Sequence, residues 1–469
     1  MKPLSLQQVK HAVGGRALTR LPAHGPSVQA ICTDTRRMQP GSLFIALRGD
    51  VHNAHEYLPQ AAAGGAVAAL VETVPPQTLP NVHLIAVPDT RKALGKLATY
   101  VRKQMRAKVI AVAGSNGKTS TKYLIDSALS GKLRGTMSPK SFNNEIGVPL
   151  TIFPADPNQD YIVLEMGTNH HGEIKVLTEM ALPDIAVITN CGAEHLEGLD
   201  DLMGVRRENA SIVSGLNPKG LLVVNGDDPE LVSAVGAYKG KRITFGFNST
   251  NDLFANDVRC DAGGTRFCLN NSKREVYVPM LGKHTAANAL AAIAVARRMG
   301  LSEEQVIESL ADAHGPEMRL QLQDINGVLL LNDAYNANPN SMRAALETVG
   351  ALPARGRRIA VLGDMRELGK SSDRYHREIG EFAAACKLDL LGCVGTQAVL
   401  IAESAQSKGM PTGAVCRFPD SRAAANTVPG WLREGDLVLL KASRSIHLEL
   451  VAQAIVDGRQ QQVLRKAAS

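Results

Sequence analysis

Short apolar runs recur along this chain between stretches of helical periodicity. Residues 109–113, Val-Ile-Ala-Val-Ala, run without a polar interruption into a Gly-rich turn and then a helical segment. That is the strand, loop, helix order of a nucleotide-binding α/β unit. Further buried strands are predicted at 161–164, 185–189 and 220–224, and such runs separated by helical stretches predict a mainly parallel sheet. The Ala-rich stretch 285–299 is apolar around much of its circumference and predicts a buried helix closing this unit. Ahead of it, 42–47 and 67–71 read as strands and 90–105 as a helix whose basic end marks a boundary. After Gly315-Pro316 a second α/β pattern places strands at 328–332, 358–362, 390–394 and 437–440, with helices in the gaps. Turn residues at 77–81 and 248–252 predict surface loops, and no internal repeat or low-complexity tract is present.

Three domains follow: 1–105, 106–314 and 315–469. At 469 residues the chain exceeds one ordinary core, since domains hold roughly 100–200 residues each. A hydrophobic share of 44% with 21% charged residues is that of a soluble globular protein. The longest nearly uncharged small-residue run, 61–71, falls short of the roughly 20 residues of a membrane-spanning helix, and residues 1–15 carry no apolar signal core. The seven cysteines are scattered, without a C-x-x-C pair; neither a zinc site nor a disulfide framework is expected, and reduced thiols fit a cytoplasmic location. The net charge of +7 favours an anionic partner. Because the basic residues form no run or aromatic-interleaved patch, a phosphate-bearing small molecule is expected and nucleic acid is not. Only 459–469 is locally basic, and it reads as a solvated or frayed helix end.

The turn after the first strand is Gly114-Ser115-Asn116-Gly117-Lys118-Thr119-Ser120. Glycines let backbone N–H groups converge on phosphate oxygens, the helix N-terminus adds a favourable dipole, Lys118 neutralises β/γ charge, and Thr119 is placed to hold Mg²⁺. Val112 stands where the longer G-x-x-x-x-G-K-[ST] loop has its first Gly, so the match to generic kinases and GTPases is imperfect. The shorter G-[ST]-x-G-K-[ST] form resembles that of the Mur ligase family. The resemblance extends through Thr33-Asp34-Thr35-Arg36, Pro40 to Phe44, Phe142-Asn143-Asn144-Glu145-Ile146-Gly147, Glu165-Met166-Gly167, Asn190 to Leu196, Asp333-Ala334-Tyr335-Asn336-Ala337-Asn338-Pro339 and Leu362 to Gly369. Within the family, the Asn-Asn-Glu-Ile-Gly and Asp-Ala-Tyr-Asn-Ala-Asn-Pro strings point to the branch that adds D-alanyl-D-alanine.

The resemblance implies a three-domain Mur ligase architecture, with a central P-loop-type parallel-sheet domain and a C-terminal Rossmann-like domain. It implies ATP and Mg²⁺ as cofactors, with UDP-MurNAc-tripeptide and D-alanyl-D-alanine as substrates. Glu165 and His195, each after a strand, are the implied metal ligands with Thr119, although magnesium prefers oxygen donors. Asn288 is the implied adenine contact. Arg319 supplies charge to the transferring phosphoryl group, and Asp333 orients ribose or another side chain. Asp34, Thr35, Arg36, Phe44 and Ala46 are expected at the UDP part of the donor. Asn143, Asn144 and Thr168 are expected along the peptide path, and Tyr335, Asn338, Lys441 and Arg444 at the incoming substrate.

One departure stands out. Relatives carbamylate a lysine in the helix after the His motif, and here Asn209 takes that place, so the expectation is an active enzyme without the modification. The implied chemistry activates a carboxylate as an acyl phosphate, couples it to an amine, and closes three domains around one cleft to exclude water. The chain is expected to act as a monomer. Alternatives are a tripeptide-forming Mur ligase, folylpolyglutamate synthase, a non-catalytic nucleotide-binding protein, or a phosphotransferase.

Overall fold

The computed structural model describes residues 1–468 except 23–24, 50 and 77–78, with side chains to residue 460. Part of the loop expected at 77–81 and the side chains ending the basic tail therefore lie outside the described residues. The tail's backbone continues the last helix, Glu449–Ala468.

The elements used below are strands β1 (Lys108–Ala113), β2 (Tyr161–Glu165), β3 (Ile185–Ile188), β4 (Val328–Asn332) and β5 (Leu437–Lys441), with helices α1 (Thr90–Arg102), α2 (Lys118–Ser130), α3 (Glu173–Ala181), α4 (Leu202–Ala210), α5 (His284–Arg298) and α6 (Pro339–Ala351). The nine-stranded central sheet has β1 between β2 and β3, and all three are parallel. The chain winds from β1 to one edge, then crosses to β3 on the other side. That reversal opens a crevice at the carboxyl ends of β1 and β3, where open α/β sheets bind ligands.

Side-chain alternation along these strands builds two cores. Val109, Ala111 and Ala113 face one way and join Leu94, Leu97 and Ala98 of α1 with Ile174 and Leu177 of α3. Ile110 and Val112 face the other way, onto Leu124 and Ile125 of α2 and the alanine face of α5. The first core also takes in Leu43, Leu70 and Ile85 of the N-terminal sheet, so these two lobes share one continuous apolar interior. Arg102 pins the junction: its guanidinium donates to the Ala181 and Leu182 carbonyls and to Asp184 at 2.9–3.1 Å. These bonds coincide with the end of α1 at Arg102, short of the expected residue 105, where the backbone tightens into turns.

The N-terminal sheet has five strands, parallel apart from an antiparallel edge. The C-terminal sheet has six, with β4 beside β5 and an antiparallel edge strand, Gln321–Ile325. The sequence pattern does not register three strands at the far edge of the central sheet, Leu253–Asp261, Gly264–Leu269 and Glu275–Val278. They pair antiparallel, so the parallel reading holds for the core of the sheet and fails at this edge.

Two histidines act as backbone acceptors inside these lobes. His376 Nε2 accepts the Met365 N–H at 3.0 Å while Nδ1 faces the Ser372 carbonyl at 2.8 Å, which fixes a neutral ring. His55 Nε2 accepts the Glu72 N–H at 2.8 Å. Burial holds both below the ordinary histidine value of 6.5. The unfolded chain therefore takes up protons near 6.5 that the folded chain refuses until a lower pH. The resulting stability is present above 6.5 and is lost as pH falls through the depressed folded values. Melting temperature should thus drop from about pH 7.5 to about pH 5.5, and His376→Gln, which keeps an acceptor that cannot protonate, should flatten part of that slope. Identical slopes for the two proteins would refute the assignment.

Candidate active site

The carboxyl ends of β1, β2, β3, β4 and β5 open onto one cavity of about 2130 Å³, walled by all three lobes. Its floor is the Gly-rich loop. Gly114 and Gly117 have φ of +126° and +82°; a Cβ at Gly114 would sit 2.1 Å from the Thr189 hydroxyl, and one at Gly117 2.7 Å from Asn288 Oδ1. Only glycine fits either place. The segment after β3 fixes the loop from behind: Ser115 N–H donates to the Asn190 carbonyl at 2.8 Å, Asn116 N–H to Asn190 Oδ1 at 3.0 Å, and Thr189 Oγ1 to the Asn116 carbonyl at 2.6 Å. With those amides spent, the donors left for an anion include the Gly117 amide and the first-turn amides of α2 at Lys118, Thr119 and Ser120.

Lys118 curls over the loop, donating to the carbonyls of Gly114 and Ser115, with Glu194 at 3.9 Å. The Thr119 hydroxyl is buried without a protein partner, as are the amide nitrogens of Asn116 and Asn288. A buried polar atom left unpaired is costly unless a ligand or ion completes it. The loop thus fits a phosphate chain with a cation at Thr119, and Asn288 lies beside Gly117 at the same floor.

Glu165, 1% exposed at the end of β2, accepts from Asn143 Nδ2 at 3.1 Å and pairs with Lys122 at 3.2 Å. Lys122 is wholly buried one turn into α2. Burial lowers its pKa, opposed by Glu165. His195 takes a left-handed backbone, φ +49°, and its Nδ1 faces Glu367 of the C-terminal lobe. Asn144 Oδ1 accepts the Gly147 N–H at 2.9 Å, and Thr168 donates to the His170 carbonyl at 2.8 Å.

From the C-terminal lobe, Asp333 Oδ2 pairs with Lys441 at 2.6 Å while its Oδ1 accepts the Leu320 N–H. Lys441 is 2% exposed, and burial lowers its pKa against the pull of Asp333. Asp333 thus holds the Lys441 ammonium in place. The Arg319 guanidinium lies 4.4 Å over the Tyr335 ring, and Arg444 approaches the same ring while pairing with Glu449. Asn338 caps α6 and donates to Asn116 Oδ1 of the Gly-rich loop at 2.9 Å.

The N-terminal set sits elsewhere. Asp34, Thr35, Arg36, Phe44 and Ala46 do not reach the cavity wall, to which this lobe contributes Asp89, Lys92 and Lys96 of the α1 region. Asp34 and Arg36 pair with each other at 2.8 Å on the surface. Phe44 and Ala46 are at most 1% exposed in a small core of that lobe, so the Phe44 ring is taken up by packing and backbone groups beside it are what this strand end offers. Asn209 turns back to the Val205 carbonyl of α4. Its neighbour Glu208 accepts the Gly172 and Ile174 amides at the start of α3 at 2.7 and 2.8 Å. Neither lines the cavity.

Sequence reasoning missed four residues of this region. Lys122 follows Lys118 at helical spacing, Glu194 adjoins His195, Glu367 lies in a quoted motif, and His284 stands four residues before Asn288. Their types were visible. Their burial and partners depend on contacts between lobes.

Family models match residues 112–296, as the Mur ligase middle domain, and 318–444, as the Mur ligase, glutamate ligase domain. The UDP-N-acetylmuramoyl-tripeptide--D-alanyl-D-alanine ligase of Escherichia coli (strain K12) is 36% identical, over 92% of this chain and 94% of the relative. The crystal structure of MurF from Acinetobacter baumannii superposes with a TM-score of 0.88 at 30% identity, covering 97% of this chain and 99% of that one. MurF ligase from Thermotoga maritima in complex with ADP gives 0.83 at 26% identity, covering 93% and 99%. The chain therefore belongs to the Mur ligase family and, within it, to the MurF branch.

Proposed function

We propose that the chain uses ATP to join D-alanyl-D-alanine to UDP-N-acetylmuramoyl-tripeptide, forming the UDP-MurNAc-pentapeptide precursor of peptidoglycan. The observation that carries this reading is the shared cavity, in which the first turn of α2, Lys118 and Arg319 converge from two lobes while a third supplies a wall. Residues 1–105 are assigned to the UDP part of the donor, 106–314 to the nucleotide and 315–469 to the incoming dipeptide. No helix among the described residues is long and apolar enough to cross a membrane, and the cysteines are free, in keeping with a cytoplasmic reaction.

The reaction has two steps. A carboxylate oxygen of the tripeptide attacks the γ-phosphorus of ATP and ADP leaves; the dipeptide amine then attacks the acyl carbon and expels phosphate. Lys118 and the α2 amides draw charge off the β/γ oxygens, and Arg319 faces the transferring group. Mg²⁺ would be held by the Thr119 hydroxyl and the Glu165 carboxylate, where it supplies further screening of phosphate charge. His195, whose Nδ1 faces Glu367, would have its Nε2 left to join that set. Lys441, paired with Asp333, is assigned to the incoming substrate. The three lobes keep water from the acyl phosphate.

ADP release should require both UDP-MurNAc-tripeptide and D-alanyl-D-alanine, and should stay at background when glutamate, lysine or diaminopimelate replaces the dipeptide. Release without any need for the dipeptide would sink the proposal. Arg319→Ala should lower kcat about 10²–10³-fold, the usual loss when a preorganised charge at a transition state is removed. Because Asn209 cannot form a carbamate and Glu208 is spent on backbone amides, turnover should be the same in bicarbonate-free and bicarbonate-supplemented buffer. A rate that rises with bicarbonate would show that another lysine has taken over that role.

A further inference from the structure

Arg319 has no carboxylate partner among the described residues; what holds it is the face of Tyr335, 4.4 Å away. An aromatic face restrains a guanidinium without cancelling its charge, as a carboxylate would. The Tyr335 hydroxyl in turn donates across the cleft to Ser141 Oγ at 2.6 Å. Ser141 is itself placed by its neighbour, since the Lys140 carbonyl accepts from the buried Lys122 that pairs with Glu165. A continuous path of side chains, bridged by the Lys140–Ser141 backbone, therefore joins Glu165 on the cavity wall to Arg319 on the opposite lobe.

We propose that Tyr335 is a positioning residue that aims Arg319 at the transferring phosphoryl group when the C-terminal lobe is docked on Ser141. This deepens the function proposed above and rests on it. The long arginine stem has several rotamers of similar energy, and stacking selects among them. The hydroxyl bond makes that selection conditional on docking, so an undocked lobe carries a loosely aimed cation.

The test is a double-mutant cycle on kcat and KM with Tyr335→Phe, Ser141→Ala and the double variant. Tyr335→Phe keeps the ring and loses only the bond. Each single variant should lower kcat about fivefold, the worth of one hydrogen bond, with KM for ATP and tripeptide held within about twofold. The double variant should be no worse than either single one. Tyr335→Leu also removes the ring and should cost roughly tenfold more. Losses that multiply in the double variant, or effects confined to KM, would overturn the inference. Small-angle scattering reads the docking half without turnover: both single variants and the double should widen the particle equally, and three unchanged profiles would also overturn it. A wild-type protein lacking dipeptide-dependent ADP release would instead strike the proposed function, leaving scattering to judge the strut.

Discussion

Like charges must be brought together for the proposed reaction to begin, and that constraint orders the site. Two unit charges 4 Å apart repel by about 1 kcal/mol in water and about 4 kcal/mol near a protein surface. A carboxylate approaching a triphosphate meets several such terms at once. The chain answers with cations from two directions, Lys118 on the loop and Arg319, Lys441 and Arg444 from the facing lobe. They are secured in three ways, Arg444 sharing with Lys441 the pairing to a carboxylate, here Glu449. Lys118 rests on carbonyls, Lys441 on Asp333, and Arg319 on an aromatic ring, which leaves its charge undiminished.

The same constraint explains the buried Lys122–Glu165 pair. A lone carboxylate at the end of β2 would be strongly disfavoured there. Lys122 and Asn143 compensate the Glu165 carboxylate at the cavity floor, beside the place proposed for a cation. Breaking such a pair leaves an uncompensated buried charge, which commonly costs about 3–5 kcal/mol. Stability and proposed function therefore meet at this carboxylate.

The interior of the fold was legible because continuous apolar runs and helical periodicity are local signals. β4 and the strand Leu390–Val394 match their predicted limits, and β1, β2, β3 and β5 differ by a residue or so. The edge strands escaped because residues such as Asp257, Arg259 and Asp261 face solvent and break the apolar run. At the site, the Gly-rich loop could be read from residue types and spacing alone. The pairing of Asp333 with Lys441, 108 positions away, could not, nor could the withdrawal of Phe44 into a core, because both are set by tertiary packing. Glu208 shows the same limit: nothing in its sequence position reveals that its hydrogen bonds commit it to the start of α3.

The apolar interior common to the first two lobes makes the molecule mechanically lopsided. Leu94, Leu97 and their neighbours on α1 share one core with residues of both the central and the N-terminal sheet. The third lobe keeps its own two cores, and its larger core draws on the central lobe only through Leu281 and the partly buried Cys260. Sliding the first lobe would tear hydrocarbon contacts, whereas swinging the third exchanges mainly side-chain hydrogen bonds for water. The first two lobes are thus joined through hydrocarbon and the third mainly through polar contacts, and a fragment cut just before β1 would expose greasy surface that the intact chain buries.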